Sequence, residues 1–140
     1  MDLNQSSGFL INQLAHLMKV ELDQRLAKYQ VTTSQWAVLA LLWKTEGLSQ
    51  VEIQQAFHIE KATVAGLIQR MIRLGLLYKK IDAADKRVHR VYLTEKGKSL
   101  EQQLVVEAQA VNEQMLQGFS NVQREQFFEI MKLGLSNMRR

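Results

Sequence analysis

Apolar residues recur at three- and four-residue steps along most of this chain, and this spacing predicts α-helices with one buried face. A long amphipathic helix is predicted over residues 8–28. A helix buried on several sides is predicted over residues 36–43, where nearly every side chain is apolar. The same spacing predicts a long helix from about Glu95 to Gly118 and a last helix after the capping motif at Ser120.

The stretch that begins at Ser49 holds two short predicted helices. Its first four residues, Ser-Gln-Val-Glu, have the S-x-x-E form of a capping box, so a helix should begin here and run to about Phe57. A second helix is predicted over residues 61–74 and should end at Gly75, because glycine is favoured directly after a helix. The apolar face of the second helix consists of Val64, Leu67, Ile68 and Met71. Two short helices joined by about three residues are typical of a helix-turn-helix.

The residues after Gly75 predict strands. Two β-prone runs, residues 76–81 and 88–93, are separated by a charged, turn-rich segment at 82–87. A β-hairpin is therefore expected directly after the helix pair. The expected fold class is mainly α with a small β-hairpin wing: a winged helix-turn-helix unit plus a helical layer from the terminal helices.

This stretch resembles the multiple-antibiotic-resistance regulator (MarR) family. The family's wing signature, D-x-x-D-x-R followed by L-T-x-x-G, is matched by Asp82, Asp85, Arg87, Leu93, Thr94 and Gly97. The upstream segment VTTSQWAVLALL, residues 31–42, is similar to the family's second helix and its capped start. The resemblance implies one MarR-like domain over residues 1–140, with a DNA-binding lobe at about 31–98. It also implies a homodimer formed by a helical lobe from about 1–30 and 99–140.

Charge is distributed unevenly along the chain. Residues 61–98 contain ten Lys or Arg and three Asp or Glu, a balance of +7, whereas residues 1–60 balance at −2 and residues 99–140 at −1. The positive charge lies in the second short helix and the hairpin. It is the pattern expected of a phosphate-binding surface, with a solvated charged face as the alternative reading.

The outward face of helix 61–74 supplies the candidate major-groove contacts. Its residues are Lys61, Ala62, Thr63, Gly66, Gln69, Arg70 and Arg73. Gln69 could pair with adenine, and Ala62 or Thr63 could touch a thymine methyl, while the two arginines are expected to hold phosphates. Gly66 costs the helix about 1 kcal/mol relative to alanine, which either close approach to DNA or tight helix packing would explain. The MarR family often has an arginine at the position that Gly66 occupies in this chain. The base contact that this arginine usually makes is therefore not expected here.

The predicted wing supplies the minor-groove contact. Arg87 matches the family arginine that enters the minor groove, where narrow A·T tracts attract a guanidinium. Asp85 is expected either to orient Arg87 or to cap the turn. Lys86 and Arg90 are expected to contact phosphates, and the helix that starts at Ser49 would offer free N–H groups to another phosphate.

Other chemistry has little support in the sequence. There is no cysteine, and the three histidines lack the spacing of a metal site. No cofactor, metal or catalytic activity is predicted. The resemblance does imply a small-molecule effector pocket between the dimer helices and the winged unit. His16, Trp36 and Trp43 lie in the corresponding segments. The alternative is core packing for the two tryptophans and a structural or surface role for His16.

The predicted location is the cytoplasm, without a membrane partner. The longest apolar run, Trp36 to Trp43, is much shorter than the roughly 20 residues of a membrane span, and the amino terminus lacks the features of a signal peptide.

The predicted function is that of a homodimeric transcriptional regulator, a repressor that binds a palindromic operator in double-stranded DNA and is released by a small molecule. Helix 61–74 would enter the major groove and Arg87 the adjacent minor groove. Two alternatives stay open: an architectural DNA-binding protein without sequence preference, and a winged helix that serves as a protein-interaction module.

Overall fold

The computed structural model describes residues 1–139, and over this range it has seven α-helices and three short strands. The helices are α1 Ser7–Leu26, α2 Thr33–Lys44, α3 Gln50–Phe57, α4 Lys61–Arg73, α5 Glu95–Ser99, α6 Glu101–Met115 and α7 Asn121–Met138. The strands are β1 Leu48–Ser49, β2 Leu77–Ile81 and β3 His89–Leu93. The predicted fold class, mainly helical with a small β wing, is confirmed.

Short-range hydrogen bonds explain where the helices begin. Complete capping boxes, with both the side chain and the backbone of the cap engaged, stand at the starts of α2, α3 and α7. Their residue pairs are Thr32 with Gln35, Ser49 with Glu52, and Ser120 with Gln123. Each satisfies two backbone N–H groups that the helix itself leaves without partners.

Gly75 ends α4 as the sequence predicts. Its φ of +75° lies in the left-handed region. Its N–H donates to the carbonyl of Ile72, and the next N–H, of Leu76, donates to the carbonyl of Met71, both at 3.0 Å. These two bonds form a Schellman motif, which closes the helix and turns the chain directly into β2.

The sheet has one strand more than the predicted hairpin. Its order is β1-β3-β2, with both neighbouring pairs antiparallel. In the added strand, Leu48 pairs with Val91 and Ser49 with Arg90. A strand of two residues is too short to produce an alternating pattern, so the sequence does not reveal it. Its consequence is that the start of α3 is fixed directly to the wing.

The long helix predicted from Glu95 to Gly118 is divided into α5 and α6. Leu100 separates them, with a backbone that stays helical at φ −80° and ψ −12°, and a turn follows α6 at residues 116–118. The division lies next to a close contact, because a Cβ on Gly97 would stand 2.4 Å from the carbonyl oxygen of Leu76. The short helix α5 is thus pressed against the start of β2.

Thr94 and Gly97 of the wing signature fasten α5 to the end of α4. The Thr94 hydroxyl accepts from the Gly97 N–H at 3.1 Å and donates to the Gly75 carbonyl at 2.6 Å. The Thr94 N–H donates to the Leu76 carbonyl at 3.1 Å. The indole Nε1 of Trp43 donates to the Gly97 carbonyl at 2.9 Å. This part of the signature therefore has a structural role.

The buried core joins α1, α2, α3, α4 and α6 to the inner face of the sheet. All four residues of the predicted apolar face of α4 are buried. By contrast, none of the 18 residues of α7 is buried, and α1 also exposes large apolar side chains. The exposed apolar side chains on these two helices include Leu10, Ile11, Leu17, Ile130, Leu133 and Met138. Over the described residues, no helix combines the length and apolar character needed to span a bilayer.

Candidate nucleic-acid interface

The face of α4 that points away from the core is open to solvent. Its predicted contact residues Lys61, Ala62, Thr63, Gln69, Arg70 and Arg73 are exposed, and Gly66 is half-buried. Burial of the opposite face fixes this orientation, because the apolar arc is held in the core. The structure thus brings the predicted residues onto one surface, whereas their contacts to bases and phosphates remain predictions.

Gly66 is not required by packing within the protein. A Cβ added there would meet only Nη1 of Arg70, at 3.5 Å, which is ordinary van der Waals contact. Of the two explanations left open by the sequence, tight packing of α4 against another of the described residues is therefore excluded. No close contact between Gly66 and another part of the described chain offsets the helix-propensity cost of glycine at this position, which is about 1 kcal/mol relative to alanine.

The turn of the wing is organised by Asp82. Its Oδ1 accepts from the N–H groups of Ala84 and Asp85, at 2.7 and 3.0 Å. Its Oδ2 accepts from Nε of Arg90. The Arg90 guanidinium, followed by these two N–H groups, holds the pKa of the Asp82 carboxyl below its ordinary value of 3.8. The first aspartate of the signature thus shapes the turn.

Asp85 both caps the turn and orients Arg87. Its Oδ1 accepts from the Arg87 backbone N–H at 3.0 Å, and its two oxygens accept from Nε and Nη2 of Arg87 at 3.1 Å each. The side chain of Arg87 nevertheless remains 89% exposed. The Arg87 guanidinium is the main cause that lowers the pKa of the Asp85 carboxyl. The fork of this pair fixes the direction of an otherwise flexible side chain at the tip of the wing.

Arg90 links three elements within the protein. Besides Asp82, its guanidinium contacts the carbonyl of Gly47 at 2.9 Å and Oε1 of Glu52 at 3.5 Å, both through Nη1. It thereby joins the wing to β1 and to the start of α3. Its predicted contact to a phosphate stays a prediction, and Nη2 is the nitrogen that makes no hydrogen bond to a described residue.

The start of α3 is less open than the sequence suggests. Ser49 is buried, and its hydroxyl accepts from the N–H of Glu52 at 3.1 Å. The Glu52 carboxylate accepts in return from the Ser49 N–H, and this bond is the main cause that lowers its pKa. A phosphate at this helix start would therefore be bound by the N–H groups of Gln50 and Val51, beside a carboxylate.

The three residues predicted for an effector pocket are not brought together. Trp36 lines a cavity of about 390 Å³ between α1, α2 and α6. Its indole Nε1 is buried without a hydrogen-bond partner among the described residues. His16 is exposed on α1 and does not line this cavity, and Trp43 faces α5, where it donates to Gly97. The other side chains at the cavity include Met18, Lys19, Leu22, Thr33, Gln109 and Asn112.

The sequence did not point to the residues that hold other side chains of the site in place. Glu52 and Gly47, which hold Arg90, are far from the wing in sequence, so no local motif points to them. The pairing of Lys19 with Asp23 beside the cavity has an i, i+4 signal that could have been recognised. Within residues 1–139, no group of three His, Cys, Asp or Glu side chains is arranged to hold a metal ion.

Comparison with known proteins gives consistent results. The MarR family model matches residues 31–89. The transcriptional regulator HosA of Escherichia coli is 30% identical over 128 residues, which are 88% of this chain and 95% of HosA. A MarR transcriptional regulator from Methanosarcina mazei has a crystal structure with a TM-score of 0.88 at 27% identity, covering 93% of this chain and 94% of the other. MepR of S. aureus, crystallised with DNA, has a TM-score of 0.84 at 25% identity, with 96% and 97% covered.

Proposed function

Because the chain belongs to the MarR family of DNA-binding transcriptional regulators, we propose that it is a homodimeric repressor that binds a palindromic operator. In this proposal α4 enters the major groove and the tip of the wing enters the adjacent minor groove. Residues 31–98 form the DNA-binding lobe, and residues 1–30 and 99–140 form the dimerisation lobe. A regulator that acts on chromosomal DNA would work in the cytoplasm.

The exposure and orientation of Arg87 are the observation that supports this mode of DNA binding. This side chain is almost fully exposed at the tip of a hairpin, yet two hydrogen bonds to Asp85 fix its direction. An exposed surface ion pair contributes little to stability, so the pairing with Asp85 leaves the guanidinium available to DNA at little energetic cost. A guanidinium held outward on a narrow hairpin matches the width and negative potential of an A·T-rich minor groove.

The homodimer is supported by the terminal helices. The helix α7 is capped and 18 residues long, yet it buries none of its residues in this chain. An apolar groove of about 370 Å³ between α1, α6 and α7 is lined by residues that include Leu10, Leu14, Met115, Phe127 and Phe128. A second copy of the same helices would cover these side chains and would set the distance between the two α4 helices.

Release by a small molecule is supported by the cavity at Trp36. It lies between α1 and α6 of the dimerisation lobe and α2 of the DNA-binding lobe, so a ligand there contacts both lobes. The unpartnered Nε1–H of Trp36 offers a hydrogen bond to an acceptor on the ligand. The liganded protein would bind its operator more weakly and would repress less well, because the ligand would favour an arrangement of the lobes in which the two reading helices are shifted.

A selection from randomised duplexes tests the proposal. Duplexes that the protein retains over successive rounds at about 150 mM salt are sequenced, and the proposal expects two inverted half-sites about one helical turn apart. Retained duplexes without a common sequence would favour the architectural alternative, in which affinity depends on phosphate contacts alone. Retention of no duplex would favour the protein-interaction module.

A further inference from the structure

Arg70 has an unexpected position on the outward face of α4. Its Nη1 lies 3.5 Å from the place that a Cβ of Gly66 would occupy, and among residues 1–139 no other atom beyond the neighbouring residues and the local helix backbone lies within 4 Å of that place. The guanidinium therefore extends over Gly66, toward the amino end of the helix. This direction agrees with helix geometry, because side chains lean toward the amino terminus and cover the preceding turn.

Gly66 makes this position available. Residues four apart in a helix differ by about 40° in direction and about 6 Å along the axis, so their side chains compete for the same surface. With glycine at position 66, the guanidinium of Arg70 can lie across the centre of the exposed face. Arg70 is itself exposed and makes no ion pair or side-chain hydrogen bond with a described residue.

We infer that Arg70 reads a guanine in each half-site, through the opening that Gly66 leaves on α4. This inference rests on the proposed function, and it differs from the sequence-based expectation that Arg70 holds a phosphate. A guanidinium fork matches the O6 and N7 acceptors of guanine in the major groove. Of the two arginines on α4, Arg70 and Arg73, Arg70 lies nearer the amino end, which enters the groove first.

Arg73 provides the matched control. It carries the same side chain on the same helix, about one turn further from the amino end, and it is also exposed. The selected duplex and variants of it, each with one G·C pair replaced by A·T, are titrated with wild type, Arg70→Ala and Arg73→Ala. Wild type should discriminate against one G·C replacement per half-site by roughly 5- to 150-fold. Arg70→Ala should lose that discrimination, whereas Arg73→Ala should bind every duplex more weakly and keep it.

Substitutions at position 66 test the role of the glycine. Gly66→Leu fills the opening and should remove the same discrimination although Arg70 is still present. Gly66→Ala leaves the 3.5 Å contact and should keep the discrimination while raising the melting temperature. If Gly66→Ala instead weakens binding to every duplex, the glycine serves close approach of the backbone to DNA, and the inference is wrong.

The remaining outcomes separate this inference from the proposed function. Equal weakening of all duplexes by Arg70→Ala and Arg73→Ala, or a selected half-site without guanine, would overturn the reading role of Arg70 and leave the regulator intact. A wild-type protein that selects no sequence would overturn the proposed function itself.

Discussion

Replacement by alanine should change the free energy of unfolding in opposite directions at Gly97 and at Gly66. In Gly97→Ala the new methyl would stand 2.4 Å from the carbonyl oxygen of Leu76, so the backbone has to move. Overpacking of this kind costs about 1–3 kcal/mol. The movement also strains two hydrogen bonds, from Thr94 N–H to Leu76 and from Trp43 to Gly97, each with a net value of about 1 kcal/mol.

Alanine recovers about 1 kcal/mol of helix propensity, so we expect Gly97→Ala to lower the free energy of unfolding by about 2 kcal/mol. For a chain of this size that is roughly 6 °C in melting temperature, since 1 kcal/mol corresponds to about 3 °C. Gly66→Ala meets no close atom and should raise stability by about 0.5–1 kcal/mol. Thermal unfolding followed by circular dichroism at one protein concentration measures both. A neutral or stabilising Gly97→Ala would refute the reasoning about this contact.

Three further predictions concern the interface, the cavity and the wing. Leu133→Glu puts a charge on the exposed face of α7, where Leu133 is 62% exposed, and should give a folded monomer in light scattering; an unchanged dimer would remove α7 from the interface. Trp36→Phe removes a buried donor without a partner, so stability should change by less than about 1 kcal/mol; a loss above 3 kcal/mol would mean that Nε1 has a structural partner. Because the pKa values of Asp82 and Asp85 are lower in the folded chain, the stabilising effect of these carboxylates is present above the ordinary pKa of 3.8 and is lost as the pH falls below 3.8. The side-chain NMR signals of Arg90 should shift over that loss. Signals that stay constant to a pH well below 3.8 would contradict the pairing of Arg90 with Asp82.

Much of the fold is readable from local patterns. The S-x-x-E and related spacings at Thr32, Ser49 and Ser120 mark three helix starts, because each capping box depends on residues only three apart. The end of α4 follows in the same way from Gly75. The periodicity of α4 also predicts which of its faces is buried, and hence which face is available to DNA.

The parts that escape prediction depend on contacts between distant residues. The strand β1 exists only because Leu48 pairs with Val91. Arg90 is a residue type that commonly binds phosphates, yet it bonds to Gly47 just before β1 and to Glu52 of α3, which are distant from it in sequence. Trp36 and Trp43 look alike in sequence, but one lines a cavity and the other donates to Gly97, because they lie about two turns apart, near opposite ends of α2.

The proposal of a site-specific dimer is tested most directly by one titration. Fluorescence anisotropy compares the duplex obtained by selection with a scrambled duplex of equal length and composition, at about 150 mM salt, and also gives the number of chains bound per duplex. We expect two chains per duplex and a preference of at least about 10³-fold for the selected sequence, the lower end for specific DNA-binding proteins. Equal affinity for both duplexes would contradict the account.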